Sequence, residues 1–558
     1  RKPVGTDKHL VAWLEVRLWS SGAVEVLPWI ENGYLQVAGP TNKAATFTFT
    51  LGKTQRMSAA IDLKHHQRTP LVVGTALSYW LSIDPSVTPV HDSSYLQQSE
   101  LVPSYSAVMA PGGGRISVQA SSFVPLQQGG FNYDGDSMAS SGYQTAIGLL
   151  PEHDVLHLVA ASSDRVTNGY GAGRYGVHYR DETTNRPPAF SKYPSLVLRD
   201  GTGMKDSGAS TASFYTPAAT GGNPPQWDTA HSPSIGYMAY LITGRFYFKE
   251  ETQFAAIANH FNVTDWIRGG GTANYVPAPG FTGASGICVG AVQTRSAAWW
   301  FRSLTQALSV TPDADDPLRS ELLASAEDNC RYFHQMYVAQ PNNPFGMIHG
   351  GEGNYGDIPG KYTIPAWQQD FVTAAWGMAL SMGLPLSSSG SAKMSAFFAW
   401  KAKSVVGRLG TATGWRYING APYTMPIGSG NVDYFGGTGP WLSDFKAAYD
   451  SYTGFYQNNI SAALSTTENM LGMDFPAASQ PSMWHNLQPA LAYAVRHNVD
   501  GAQAAYDRIH NAANWSQIVD VFNNKPVWSV RPAGATASPP AIVAPPVVVQ
   551  PITGAPAW

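Results

Sequence analysis

Short runs of alternating apolar and polar residues dominate the first part of the chain. A period of two is typical of β-strands with one buried face, and clusters of Gly, Pro, Asn and Asp separate the runs. The pattern predicts strands at 11–19, 45–51, 71–77 and 115–120. Because many short strands divided by turn signals are typical of sandwiches and barrels, we predict an all-β domain, sandwich-like or barrel-like, over residues 1–210.

The periodicity changes after a turn-rich segment at residues 200–226, which indicates a seam between domains. Beyond it, apolar residues recur at spacings of three and four, which predicts helices. These helices are 234–243, 250–261, 294–309, 317–337, 368–382, 392–409, 443–456, 483–496 and 502–513. A succession of antiparallel helices joined by Gly-rich loops suits an α/α toroid, whose inner helices begin around one mouth. We therefore predict an α+β multidomain protein with a toroid over 211–528 and a Pro/Ala/Val-rich linker over 529–558.

Three predicted helices begin with a Trp beside hydrogen-bonding side chains. The candidate substrate-binding residues at these starts are Trp227, Asp228, Trp367, Gln369, Asp370, Trp484 and His485. Free N–H groups and the helix dipole make a helix start an anion site. With Ser232 as N-cap, His231 would lie just outside a positive helix end, which favours the neutral imidazole that a general base needs. Alternatively, each Trp is a hydrophobic staple and His231 bonds a loop carbonyl.

A Gly-rich loop between two predicted helices carries His349, Glu352, Tyr355 and Asp357. A polar loop at a toroid mouth suits a catalytic Tyr or His, so His349 and Tyr355 are candidate catalytic residues; a plain surface loop is the alternative. Arg295 is the fourth catalytic candidate beside His231. It lies seven residues before Arg302 on one helix face, where both would pair with a substrate carboxylate or with internal carboxylates.

Composition narrows the function classes. Charged residues make up only 13% of the 558 residues, the formal net charge is −3, and there are 17 Trp and 27 Tyr. A near-neutral chain without a basic stripe argues against nucleic-acid binding, and no stretch approaches the roughly 20 apolar residues of a membrane span. Few charges with many aromatic residues are frequent in secreted sugar-binding proteins. We therefore expect a secreted or periplasmic protein whose partner is a polysaccharide; the oligomeric state stays open.

Metal and cofactor signals are weak. Residues 132–136 resemble the start of a calcium loop, but no Glu follows at the required distance, so a structural calcium ion is only a weak option. The chain lacks a phosphate loop, a dinucleotide fingerprint, a Gly-x-Ser-x-Gly elbow and a His-Glu-x-x-His helix. We expect no cofactor and no catalytic metal.

The stretch from Trp227 to Glu251, which reads Trp-Asp-Thr-Ala-His-Ser-Pro-Ser-Ile-Gly-Tyr-Met-Ala-Tyr-Leu and onward, resembles the toroid entry of polysaccharide-active enzymes. The order of a β domain before a toroid is similar to that of the exo-rhamnogalacturonan lyase-like proteins. The likeness covers about 1–528 in architecture and only 227–251 in motif. It implies eliminative cleavage of an acidic polysaccharide and assigns no catalytic residue.

Two reactions and one non-enzymatic role fit these residues. A lyase needs a base, a group that neutralises the uronate carboxylate, and an acid for the leaving oxygen; His231, Tyr355 or His349, and Arg295 or Gln369 suit these tasks. A glycoside hydrolase needs two carboxyl groups, which Asp228, Glu352, Asp357, Asp370 and Asp433 offer. The helix starts hold more His, Tyr, Trp and Gln than carboxylates, so we favour the lyase over the hydrolase and over a non-catalytic glycan-binding surface module.

Overall fold

A computed structural model describes residues 1–73, 78–81, 84–85, 91–110, 113–122, 147–160, 178–194, 196–197, 229–271, 277–290, 293–313, 317–340, 343–349, 354–413, 415, 420–433, 439–456, 483–512 and 515–533. Antiparallel sheets form the N-terminal part, and helices follow. This order of elements agrees with the sequence prediction at the level of a mixed protein with its strands first.

The N-terminal strands form a five-stranded sheet and a separate hairpin. The sheet has the order β1-β2-β3-β6, with β7 also paired to β3, and the hairpin joins β4 to β5. The strands are β1 (Lys2–Val4), β2 (Leu10–Leu18), β3 (Val24–Asn32), β4 (Lys43–Leu51), β5 (Thr54–Leu63), β6 (Gln67–Pro70) and β7 (Tyr79–Trp80). The predicted strands at 11–19 and 45–51 are confirmed as β2 and β4. Trp13 and Trp29 face each other across β2 and β3, with ring centroids 5.6 Å apart.

Helices already appear before residue 210, so the prediction of an all-β domain over 1–210 is wrong. They are α1 (Ser93–Gln98), α2 (Gly113–Ser122) and α3 (Glu152–Ala160). The predicted strand at 115–120 is part of α2. Six residues of alternation are too few to separate strand from helix, and tertiary contacts decide: Arg115 on α2 donates to both carboxylate oxygens of Glu152 on α3, at 2.7 and 2.8 Å. The predicted strand at 71–77 is wrong for the three residues that the structure describes: β6 ends at Pro70, and residues 71–73 lie outside the strands. Residues 74–77 lie outside the described residues.

The later described helices are α4 (Tyr237–Thr243), α5 (Phe246–Phe261), α6 (Asp265–Arg268), α7 (Thr294–Val310), α8 (Pro317–Phe333), α9 (Ala366–Ser381), α10 (Ser388–Leu409), α11 (Phe445–Tyr456), α12 (Met483–Arg496), α13 (Ala502–His510) and α14 (Trp515–Asn524). Nine of them match the predicted positions within a few residues, whereas the sequence analysis did not predict α6 and α14. A small antiparallel sheet that the sequence did not predict lies among them. Its strands are β8 (Tyr362–Ile364), β9 (Met425–Asp433) and β10 (Gly439–Trp441), in the order β10-β9-β8.

Helices α7, α9 and α12 run parallel to one another. The ring of Trp299 lies 4.9 Å from Phe371, and further along both helices Phe301 stacks on Trp376 at 4.0 Å. On the other side of α9, the carbonyl oxygen of Gly377 lies 3.1 Å from Nε2 of His497, just beyond α12. The starts of these helices therefore lie at one end of the helical layer. Parallel inner helices are a feature of toroids, but these contacts do not establish a closed ring, and the toroid stays a prediction.

A buried cluster of Arg and Glu side chains fastens the N-terminal sheet to α5; we call it the Arg–Glu cluster. Arg180 donates to Glu31 and to both oxygens of Glu250, at 2.8 Å each for the latter. Arg68 donates to Glu250 at 2.7 Å and to Glu251 at 2.6 Å. All five side chains are at most 5% exposed. Because unpaired charges are costly in an apolar interior, this cluster fixes how the sheet sits on the helix.

The structure describes only one of the two predicted domain boundaries. The seam at 210 lies outside the described part. At the other boundary, Ser529 and Val530 are buried, and Val530 forms a β-bridge with Tyr105. The first residues of the predicted 529–558 segment therefore belong to the folded body, and 534–558 lie outside the described residues. Within the described residues, no helix is long and apolar enough to cross a membrane.

Candidate functional site

His231 and Arg295 form a hydrogen-bonded pair at the start of α7. His231 ends a short 3-10 turn, Thr229–His231, and is half-buried, whereas Arg295 is the second residue of α7 and only 4% exposed. Nη2 of Arg295 lies 2.9 Å from Nε2 of His231. A guanidinium group only donates, so Nε2 accepts. In this geometry His231 is a neutral imidazole with its proton on Nδ1.

The chain after His231 does not begin a helix, so the prediction of Ser232 as N-cap is wrong. Residues 232–236 run beside α7: the carbonyl oxygen of Ser232 accepts from Arg302 at 2.7 Å, and Ser234 donates to Gln306 at 2.7 Å. Helix α4 starts only after Gly236, whose φ is 71° and whose added Cβ would lie 2.7 Å from a backbone oxygen. His231 is therefore oriented by Arg295 and not by a helix dipole.

Aromatic rings flank this pair: Trp367 is 2% exposed, and Tyr423 and Tyr355 are half-buried. The guanidinium carbon of Arg295 lies 5.6 Å from the centroid of the Trp367 ring, close enough for a cation–π contact. Trp367 is in the first turn of α9, and its ring centroid lies 6.1 Å from that of Tyr423. The ring of Tyr355 packs edge-on against Tyr423 at 6.0 Å. We call these five residues, His231, Arg295, Trp367, Tyr423 and Tyr355, the helix-start cluster.

Gln369 and Asp370 lie in the interior and not at a substrate surface. Both ends of the Gln369 amide bond the backbone of Ile348, at 2.9 and 2.8 Å. Asp370 accepts from Arg408 and is fully buried. Burial raises the pKa of Asp370, although Arg408 acts to lower it. The structure thus uses these two polar residues to hold loops and helices together.

His349 directly follows Ile348, whose backbone is bonded by Gln369. Nε2 of His349 lies 2.8 Å from the hydroxyl oxygen of Tyr362, the first residue of β8. Burial lowers the pKa of His349 to about 4, so this imidazole is neutral at neutral pH. Residues 350–353 of the same loop, including Glu352, lie outside the described residues.

The remaining predicted binding residues are either buried or outside the described part. His485 is 1% exposed and packs edge-on against Phe522, with ring centroids 4.9 Å apart. The backbone of Trp484 lies in the first turn of α12, as predicted, but its side chain is outside the described part. Trp227 and Asp228 are outside it entirely.

The carboxylates proposed for hydrolysis have partners within the fold where the structure describes them. Asp357 accepts from the hydroxyls of Thr363 and Thr424, which ties its loop to β8 and to the residue before β9. Asp370 is bound by Arg408. Asp228 and Glu352, and the side chain of Asp433, lie outside the described residues. Asp357 and Asp370, the two of these carboxylates whose side chains the structure describes, are therefore both engaged by partners within the fold.

Metal ligands and cavities do not single out another catalytic centre. Among the residues described, no group of three or more His, Cys, Asp or Glu could hold a metal ion, and the weak calcium-like segment 132–136 is not described. A cavity of 1040 Å³ lies near α1 and the ends of α9 and α12. Residues of the helix-start cluster do not line it, since they lie at the opposite ends of these helices.

Tyr423 and Tyr362 were missed by the sequence argument. Tyr362 lies in the alternating run Lys361-Tyr-Thr-Ile364, which signals a strand but not its neighbour His349. Tyr423 sits in a segment without a pattern, and only folding brings it between Trp367 and Tyr355.

No family model matches the sequence, and no curated protein and no solved structure shows significant similarity to it. The resemblance of residues 227–251 to the toroid entry of polysaccharide-active enzymes therefore remains a hypothesis. What the fold adds to it is a buried arginine, a neutral histidine and three aromatic rings gathered at the start of two parallel helices.

Proposed function

We propose that the protein is a polysaccharide lyase that cleaves an acidic, uronate-containing polysaccharide by β-elimination. The observation that carries the proposal is the contact of His231 with Arg295 at 2.9 Å, beside the ring of Trp367. One small region thus offers a cation, a neutral base and an aromatic ring. We expect the enzyme to act outside the cytoplasm, where a polymeric substrate is accessible.

Arg295 is the group we assign to the substrate carboxylate. Elimination requires removal of the proton on the carbon next to the carboxyl group, which develops negative charge on that carboxyl group. A guanidinium offers two parallel N–H donors to a carboxylate, and its 4% exposure makes the interaction stronger than it would be in water. The other candidate for this task, Gln369, has its amide committed to Ile348.

His231 is the base, and its state couples to substrate binding. In the absence of substrate, Arg295 donates to Nε2 and occupies the lone pair that would take the proton. A carboxylate that accepts from Arg295 releases this lone pair. The proton then moves from the carbon to Nε2, a double bond forms to the neighbouring carbon, and the bond from that carbon to the leaving oxygen breaks.

Tyr355 is our candidate for the acid that protonates the leaving oxygen. Its side chain is half-buried and its ring rests on Tyr423, so its position is fixed relative to Trp367. His349 suits the role less well, because its Nε2 is already engaged with Tyr362 and burial favours its neutral form. The glycoside hydrolase alternative is weakened because Asp357 and Asp370 both serve the fold.

The direct test is a panel of acidic and neutral polysaccharides, with ultraviolet absorbance and mass analysis of the products. A lyase produces unsaturated sugar ends that absorb in the ultraviolet, and each cleavage adds no water. New reducing ends with added water and no absorbance would establish the hydrolase instead. Binding without any product across the panel would support a non-catalytic glycan-binding module.

Variants of the pair test the assigned roles. His231→Ala should lower kcat by about 10²–10⁴-fold with little change in Tm, because a general base contributes that much and the side chain is half-buried. His9→Ala is the matched control, since His9 is also partly buried but lies in the N-terminal sheet region. Equal activity of both variants would refute the assignment, and a large fall in Tm for His231→Ala alone would make this histidine structural.

A further inference from the structure

A second cavity lies where the N-terminal sheet meets the start of α5. Its volume is 520 Å³, within the range of about 300–1,000 Å³ usual for small-molecule sites. Its wall combines Trp13 from β2, the turn around Arg186, Phe246 and Lys249 from the first turn of α5, and Pro312 just beyond α7. We call it the α5 cavity.

The charge of the wall favours an anion. Arg1, Arg186 and Lys249 contribute three cationic side chains, and Glu250 contributes one carboxylate. Both oxygens of Glu250 already accept from buried guanidinium groups, Oε1 from Arg180 and Oε2 from Arg180 and Arg68. Behind the wall, the Arg–Glu cluster holds two arginines and three glutamates, a formal charge of −1, so the three cations of the wall leave positive charge in excess.

Two aromatic rings give the same wall an apolar face. Trp13 and Phe246 have ring centroids 6.3 Å apart, and Phe246 is 38% exposed. The ammonium nitrogen of Lys249 lies 4.8 Å from the centroid of the Phe246 ring, so a cation stands directly beside apolar surface. A ligand that satisfies both features has a flat apolar face and an anionic group close to it, as a sugar acid has.

The floor of the cavity is closely packed. Trp13 stacks on Trp29 with an angle of 3° between the rings, and the guanidinium carbon of Arg180 lies 4.6 Å from the Trp13 ring. Arg180 itself is fully buried within the Arg–Glu cluster. Because these side chains are already packed in place, binding a ligand costs less ordering of the wall, which favours the binding of a small sugar.

The α5 cavity is distinct from the helix-start cluster. Arg295 is at the start of α7, and Pro312 follows its end. A helix of 17 residues is about 25 Å long, so the two sites are too far apart for one monosaccharide to contact both. A ligand in one of them therefore does not touch the other.

We propose that the α5 cavity binds a carboxylate-bearing sugar through Arg186 and Lys249, with the sugar ring packed on Trp13 and Phe246. The site is separate from the proposed catalytic centre and does not require that His231 act as a base. If the protein does act on an acidic polysaccharide, this site holds a second part of the polymer or a released uronate.

Titration of the full-length chain with D-glucuronate and D-galacturonate, each compared with its neutral parent sugar and with acetate, tests the proposal by calorimetry or by ligand-observed NMR. We expect at least one uronate to bind tenfold more tightly than its neutral parent and than acetate, with affinity falling as salt is added. Equal affinity for the neutral sugar, equal affinity for acetate, or no binding of either uronate would overturn it.

Variants locate the binding. The double change Arg186→Gln with Lys249→Gln should weaken uronate binding at least tenfold. Phe246→Leu should also weaken it, although this variant keeps every charge of the cavity and changes only a partly exposed side chain. Lys403→Gln, at an exposed position of α10, is the matched control and should bind as the wild type does. His231→Ala should also retain binding. Loss of binding in His231→Ala with full binding in the double variant would move the uronate to the helix-start cluster and refute the α5 site, while leaving the proposed lyase activity intact.

Discussion

Glu250→Gln removes the charge at the centre of the Arg–Glu cluster. Glu250 accepts two hydrogen bonds of 2.8 Å from Arg180 and one of 2.7 Å from Arg68, and it is 2% exposed. A glutamine of the same shape keeps one accepting oxygen but turns an NH₂ group toward guanidinium donors. Arg180 keeps Glu31 and Arg68 keeps Glu251 as counter-charges, so the cost comes from the three hydrogen bonds to Glu250 that are weakened or lost, and hydrogen bonds to charged groups are worth about 1.5–3 kcal/mol each.

The pKa of Glu250 gives a second, independent magnitude for this loss of stability. Burial alone would raise this pKa, but Arg180 and Arg68 outweigh burial and lower it from 4.5 to about 2. Such a fall corresponds to about 3 kcal/mol, because each tenfold change in proton affinity is about 1.4 kcal/mol. Since the folded-state pKa is the lower one, this stability is present above pH 4.5 and is lost as the pH falls toward 2.

Urea unfolding of wild type and variant measures both effects. Trp fluorescence is the preferred signal, because Trp29 lies against Arg68 with 5.9 Å between the guanidinium carbon and the ring centroid. We expect the free energy of unfolding of Glu250→Gln to be about 3 kcal/mol lower at neutral pH, and the difference to shrink as the pH falls from 4.5 toward 2. Asp450→Asn, which breaks the exposed pair with Lys446, should cost under about 0.5 kcal/mol. A loss below about 1 kcal/mol for Glu250→Gln, or a difference that does not change with pH, would refute this account of the cluster.

Three further predictions use the same measurement. Asp370→Asn should destabilise less than Glu250→Gln, because burial outweighs Arg408 at Asp370 and raises its pKa; an equal or larger loss contradicts this. His349 has a pKa of about 4 in the folded protein, so as the pH falls the unfolded chain takes up this proton first. The stability advantage of wild type over His349→Gln should therefore shrink by about 3 kcal/mol from pH 6.5 to 4. Parallel curves of stability against pH for the two proteins would contradict this prediction. Gly377→Ala should cost several kcal/mol and lower Tm, because its Cβ would lie 2.4 Å from Cβ of Tyr493; an unchanged Tm would show that α9 and α12 can move apart.

Helix positions were predictable because their signal is local and long. In the segment 294–310, apolar residues recur at spacings of three and four over several turns, which favours a helix over a strand. Strands β2 and β4 were predictable for the same reason, with a period of two. Helix α2 was not, since a six-residue alternation fits either structure and Glu152, which anchors Arg115, lies 37 residues away.

The candidate site was predicted in part. The sequence selected His231, Arg295, Trp367 and Tyr355 by residue type and place, and folding brings these four to one region. It could not distinguish Gln369 from them, because a polar residue at a helix start looks the same whether it faces solvent or bonds a buried backbone. It also gave no sign of Tyr423, which lies 56 residues beyond Trp367.

Composition and periodicity are properties of the chain, so the sequence alone indicated the coarse order, with strands first and helices later, and the residue types available for chemistry. Its low charge argued against a nucleic-acid groove. Which polar residues hold the fold together and which meet in the helix-start cluster depends on tertiary contacts. Arg295 and Arg302 illustrate the reason: they are seven residues apart on one helix face, yet one meets His231 and Trp367 while the other donates to the backbone carbonyls of Gly148 and Ser232. Their partners come from distant parts of the chain, and a pattern along one segment carries no information about what packs against it.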